Sequence, residues 1–168
     1  MVAPSIKDDM RRLFSDHAVF TKFVITDIID ELENVEADTT RLLRNQDDVG
    51  TLLSPIIGIT KARDLVQLLK LHIELVGTYV SALKNRDPDI SSTTKSELFT
   101  NSDAIGDFLT ALSPDKLSII KDMFRQNTQY VIDIADSQNK HQSDKVVRLF
   151  DTYYSHTRDI SDLMASLG

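Results

Sequence analysis

The sequence predicts an all-α fold, a six-helix bundle built from three tandem αα-hairpins, and three observations support it. Apolar residues recur at steps of three and four through six segments, the spacing of one helix face. No segment alternates with the period of two that marks a half-buried strand. The chain also matches itself at a step of about 55 residues: LFTNSDAIGDFLTAL from Leu98 is echoed by LLRNQDDVGTLL from Leu42 and by YYSHTRDISDLMASL from Tyr153. The shared pattern is two apolar residues, a spacer, Asn or His, then Val or Ile four further on, Gly or Ser, and a second apolar pair. A repeat of this length is one supersecondary unit that cannot bury its own apolar stripe, so the copies must pack on one another.

Taken in order, the first helix runs from about Ser5, its N-cap, to Glu33, with Met10, Leu13, His17, Thr21, Val24 and Ile28 along its stripe. The acidic stretch ENVEAD breaks it. Asp38 is expected to cap the second helix, which carries Leu42, Asn45, Val49 and Leu52 and stops at Pro55. After the turn PIIG, the third carries Leu65, Leu68, His72, Val76, Tyr79 and Leu83. It ends before Pro88, which disfavours helix at Asp87. Thr94 with Glu97 forms a capping box for the fourth, with Leu98, Asn101, Ile105, Phe108 and Leu112. Ser113 caps the fifth with Pro114 at its first position, where a missing N–H costs nothing. Its stripe is Ile120, Met123, Asn127, Val131 and Ile134. The polar run SQNKHQSD makes the last turn, and the sixth helix carries Val146, Leu149, Tyr153, His156, Ile160, Leu163 and Leu167. The odd helices align with each other at the same 55-residue step. The chain therefore reads as one domain, 1–168, with hairpins at about 5–55, 60–112 and 114–167. They pack as a closed bundle or a short solenoid, and the closed form is favoured because no terminal hairpin has the polar outer face of a solenoid cap.

At 168 residues and 41% apolar content the chain can bury one real core. Its 26 acids against 19 bases give a net charge of −7, which argues against a phosphate backbone as partner. It contains no Cys, so disulfides, thiolate catalysis and Cys-based zinc sites are excluded. No apolar run approaches the ~20 residues of a membrane helix, and the N-terminus lacks a signal-peptide apolar region. The expectation is an intracellular, cytoplasmic soluble protein, or one incorporated in a virion if it is viral.

The most specific feature is a polar layer. Each of the six stripes is interrupted at a matching point by one His or Asn: His17, Asn45, His72, Asn101, Asn127 and His156. In an antiparallel hairpin, residues at one level are equidistant from the turn. That arithmetic pairs His72 with Asn101 and Asn127 with His156, and leaves His17 and Asn45 offset by about one helical turn. On one reading each His hydrogen-bonds the facing Asn and the layer sets helix register, as a buried polar residue does in coiled coils. On the other, His17, His72 and His156 converge on a transition metal (zinc, iron or copper) or a small polar ligand, with Asn127, Asp16 or Glu74 completing the shell. The core stripes carry no carboxylates of the kind that di-iron bundles use, and there is no HExxH.

Elsewhere, Asp47 and Asp103 suggest exposed helix acids rather than a cation site, since Arg158 takes that place in the third repeat. Gly50 and Gly106, with Ser161 as the small equivalent, suggest close helix packing. Tyr153 and Tyr154 read as core and rim, and His141 as a solvated turn residue. No Ser-His-Asp spacing, Walker motif or Rossmann fingerprint occurs.

LLRN at Leu42 to Asn45, NSDAIGDFL at Asn101 to Leu109, and the helices bearing His17 and His72 resemble a family of small uncharacterised all-helical proteins of Gram-positive bacteria. Some of its members carry the labels acetylglutamate kinase or glycosyltransferase. The resemblance covers most of the chain, which has Asn127 where that family would have His, and it implies a helical bundle. The enzyme labels do not carry over, because an amino-acid kinase needs a glycine-rich α/β fold. The expected function is a non-enzymatic structural or interaction protein with a protein partner, acting as a homo-oligomer or as a component of an assembly such as a capsid or shell. Phe20, Phe23, Ile25, Ile29, Ile56, Ile57 and Ile59, apolar but off the main stripes, motivate it. The alternative is a metal- or small-ligand-binding bundle that uses the His/Asn layer.

Overall fold

Two of the helix starts follow directly from the residues that cap them, Ser5 and Asp87. The structure, a computed structural model, describes residues 5–113 and 117–167, without the side chains of Leu117 and Ser118. Six helices account for nearly all of them: α1 (Ile6–Asp30), α2 (Val35–Ile57), α3 (Ile59–Asn85), α4 (Pro88–Leu112), α5 (Leu117–Asn139) and α6 (Ser143–Met164). Among the described residues there is no strand, and no helix is long and apolar enough to cross a membrane. Ser5 caps α1 as expected, in a reciprocal capping box with Asp8. Glu31 ends that helix in the left-handed region at φ 55°.

α1 stops at Asp30 rather than Glu33, α5 runs to Asn139 into the polar run read as a turn, and three further boundaries differ from the sequence reading. First, α2 starts at Val35 rather than after Asp38. Glu36 and Asp38 instead occupy its first turn, where the helix dipole favours acids. Second, Pro55 lies inside α2, and the helix runs on to Ile57. A proline this close to the C-terminus removes one ladder bond and leaves only two residues to follow. The break falls at Gly58 alone, whose φ of 88° is open to glycine. Third, α4 starts at Pro88, with the Asp87 side chain accepting from the Ile90 N–H at 3.0 Å. An Asp N-cap followed by Pro at the first position outcompetes the Thr94–Glu97 box, and Thr94 is buried well inside the helix. Ser113 is the C-cap of α4, while Pro114 lies outside the described residues.

Each helix packs on the next, and α6 returns to α1, so the helices form a closed ring rather than an open solenoid. α1, α3 and α5 also touch one another, forming an inner trio, and α2, α4 and α6 fill the outer gaps. Two apolar layers result. One gathers Met10, Leu65 and Ile120 with Phe14, Leu69 and Phe124 from the inner trio, and Val49, Ile105, Ile160, Leu53, Leu109 and Met164 from the outer helices. The other is built around Ile25, Val80, Ala135, Tyr79, Ile134, Leu98 and Tyr153. The polar residues of five stripes lie in sequence between these two sets, and Asn45 on α2 lies between Val49 and Leu42, which belongs to a small third cluster with Val24 and Ile73.

Close packing has the expected cause. A Cβ at Gly50 would sit 2.4 Å from Val66 Cγ2, and one at Gly106 would sit 2.8 Å from Lys121 Cγ and 3.1 Å from Lys121 Cα. Both glycines therefore let an outer helix approach the following inner one. Beside them, Asp47 pairs with Lys70 at 2.7 Å and Asp103 with Arg125 at 2.7 Å, each bridging the same two elements. These acids are helix-joining ion-pair partners on the surface.

Candidate functional site

The polar layer takes shape from the outer helices inward. Asn45 on α2 donates from Nδ2 to the carbonyl of Leu13 at 2.9 Å, and Asn101 on α4 donates to the carbonyl of Leu68 at 3.1 Å. His156 on α6 reaches the carbonyl of Met123 with Nε2 at 2.9 Å. Leu13, Leu68 and Met123 are the positions that correspond at the 55-residue step, so one acceptor is used three times.

The inner residues find different partners. His72 Nδ1 lies 2.9 Å from Asn101 Oδ1, the direct pair that hairpin arithmetic expects. His17 Nδ1 instead lies 3.1 Å from Gln46 Nε2, and Asn45 joins through its own oxygen, 3.0 Å from that same nitrogen. His17 and Asn45 are therefore not bonded to each other directly, and the Gln46 amide stands between them. Asn127 does not pair with His156. Its Oδ1 stands 3.2 Å from the hydroxyl of Thr157, which also donates to the Tyr153 carbonyl at 2.8 Å. Gln46 and Thr157 were missed in sequence because each stands one residue beyond a stripe position, about 100° round the helix.

His17, His72 and Asn127 border a common cavity of about 30 Å³ at the bundle axis, floored by Phe14, Leu69 and Phe124. A second space of about 10 Å³, bordered by the same three residues with Thr21 and Val131, lies beside it. His156 borders neither; it packs edge-on against Tyr130 at 5.5 Å. Two of the three candidate metal-binding histidines are thus brought together and the third is not. Among the described residues no group of three His, Asp or Glu side chains is placed to hold a metal ion. Asp16 bonds Arg41 at 3.1 Å and Glu74 is exposed, so neither joins the layer.

The electrostatics follow from enclosure. Burial, together with the nearby His72, pushes the His17 imidazole down to about 4, and burial lowers His72, whose bond to Asn101 opposes the shift. Both rings are neutral at pH 7. Tyr153, fully buried, is pushed up to about 12 by burial, against the opposing influence of Thr21, Thr157 and Asn127 beside it. Its hydroxyl and Thr21 Oγ1 have no hydrogen-bond partner in the structure.

No family model, curated protein or solved structure matches the chain.

Proposed function

We propose that the protein is a non-enzymatic helical module that acts through contacts with other protein chains, self-assembling into a larger structure such as a shell or capsid. The observation that carries this is apolar side chain left on the surface. Ile59 is 78% exposed and Phe23 47% exposed, although Ile25 and Ile29 are absorbed by the core and Phe20, Ile56 and Ile57 pack partly against it. Ile59 stands on a surface groove of about 480 Å³ shared by α2 and α3, with Pro55, Ala62, Arg63 and Val66. An exposed aliphatic side chain on the rim of a groove gives a partner chain an apolar foothold. The same reading includes three copies of one hairpin, α1–α2, α3–α4 and α5–α6, with His72 superposing on Asn127 and Asn101 on His156. The recurring bonds to Leu13, Leu68 and Met123 support it, and an experimental structure with the hairpins out of register would overturn it. Sedimentation equilibrium tests the function: association should strengthen with concentration and weaken on Ile59→Asp. A monomer at high concentration, unchanged by that substitution, would refute it.

A second reading, a bundle that binds a metal or a small polar ligand, is favoured by one observation, the shared cavity of His17 and His72. Removing either histidine should then abolish any stabilisation that the added ligand confers.

A further inference from the structure

The amide orientations in the polar layer determine which ring nitrogen of each inner histidine carries the proton. Asn101 donates from Nδ2 to the Leu68 carbonyl, so its Oδ1 faces His72, and an amide oxygen only accepts. His72 must therefore be protonated on Nδ1, which leaves a lone pair on Nε2. The case of His17 is reversed. Asn45 donates to the Leu13 carbonyl, which turns its Oδ1 towards Gln46. The Gln46 nitrogen also reaches the Leu42 carbonyl at 3.1 Å, so it is the donating end. Its two hydrogens are shared among the three acceptors around it, and an amide nitrogen cannot accept, so His17 Nδ1 accepts and the neutral ring carries its proton on Nε2. The two rings border the same cavity, and each Nδ1 is committed to an outer helix. One ring thus has a free donor and the other a free acceptor.

We infer that this cavity is a binding site for a small uncharged hydrogen-bonding molecule, with water as its resident, accepting from His17 Nε2–H and donating to His72 Nε2. The inference rests on reading the layer as a ligand site and names the ligand class. Size limits the occupant: spaces of about 30 and 10 Å³ hold on the order of one or two waters. Charge limits it too, since no carboxylate, Lys or Arg borders either space and both imidazoles are neutral. An ion would be desolvated with no countercharge. Thr21 supplies the second, independent observation. Thr21 is 4% exposed and borders the smaller space, and among the described residues neither its hydroxyl nor that of the adjacent Tyr153, which borders neither space, makes a hydrogen bond of good geometry. Buried hydroxyls in native proteins are satisfied by protein or by ordered water, and a water in the smaller space would serve Thr21 as well as the rings.

The experiment uses the untagged, ¹⁵N-labelled full chain. Long-range imidazole ¹H–¹⁵N correlations should show His72 as the Nδ1–H tautomer and His17 as the Nε2–H tautomer, with cross-relaxation between the His17 ring N–H and water. Thr21→Val, which keeps side-chain shape, should weaken that water contact while leaving both tautomers in place. Finding both rings in the Nε2–H form, or no water contact, would overturn the inference. Zinc is the control probe: if one equivalent shifts both imidazoles, the layer is a ligand site but for a metal, and the inference fails alone. A cavity with neither water contact nor a zinc response would overturn the ligand reading with it.

Discussion

Substituting His72 with Leu tests whether the polar layer is held by mutual satisfaction. The imidazole is the partner of Asn101 Oδ1 at 2.9 Å, and Asn101 is only 5% exposed. Leu keeps the branching at Cγ and fills similar space, so the main consequence is an amide oxygen stranded inside the bundle, costing roughly 1–3 kcal/mol. Asn101→Leu removes two bonds, the one to His72 and the one to the Leu68 carbonyl. That carbonyl lies in mid-helix and retains its own ladder partner, so the larger part of the loss is the stranded His72 N–H. With both residues changed to Leu neither orphan exists, and two apolar groups are buried instead. The double variant should therefore recover much of the summed single losses, with a coupling of roughly 0.5–3 kcal/mol. Urea unfolding of the four proteins at pH 7 measures it, provided the denaturant slope is unchanged across the set. Losses that add to within about 0.5 kcal/mol would refute mutual satisfaction. If the histidines hold a metal instead, the double substitution recovers nothing and metal content falls with each His removed.

Two further outcomes follow from the same geometry. Gly77→Ala should stabilise by up to about 1 kcal/mol, because a Cβ there meets nothing within 4 Å and α3 gains helix propensity. Gly50→Ala and Gly106→Ala should destabilise by roughly 1–3 kcal/mol through overpacking, and urea unfolding that ranks Gly77→Ala with them would contradict the packing argument. On the acid side, the folded state holds His17 neutral down to about 4 while the unfolded ring titrates near 6.5, so the unfolded state binds more protons in between. Stability contributed by this ring should be fully present above about pH 6.5 and lost as pH falls towards 4, by roughly 3 kcal/mol in all. His17→Gln should flatten that part of the stability–pH curve, and an unchanged slope would show that other groups control it.

The helices were legible because their stripes carry them, and the positions named from period alone, such as Met10, Leu65, Ile105 and Ile160, lie in the core. Boundaries were less so where two start signals compete, as Asp87–Pro88 and Thr94–Glu97 do. The polar layer was legible as a set of residues but only partly as a set of bonds. A stripe marks which side chains face inward; it cannot mark a backbone acceptor, and the bonds to Leu13, Leu68 and Met123 go to carbonyls that every residue type possesses. Those bonds also account for the interchange of Asn and His among the six positions. At Asn45, Asn101 and His156 the helix needs an N–H that can reach across to an inner helix carbonyl, and both Asn Nδ2 and His Nε2 supply one. At His17 and Asn127 the need is an acceptor, which a ring nitrogen or an amide oxygen meets equally, with Gln46 or Thr157 as donor. At Asn101 one amide donates to Leu68 and accepts from the His72 ring, whereas Asn45 donates to Leu13 but accepts from Gln46. That difference puts the His72 proton on the opposite nitrogen from that of His17, and so leaves a donor and an acceptor bordering the same cavity.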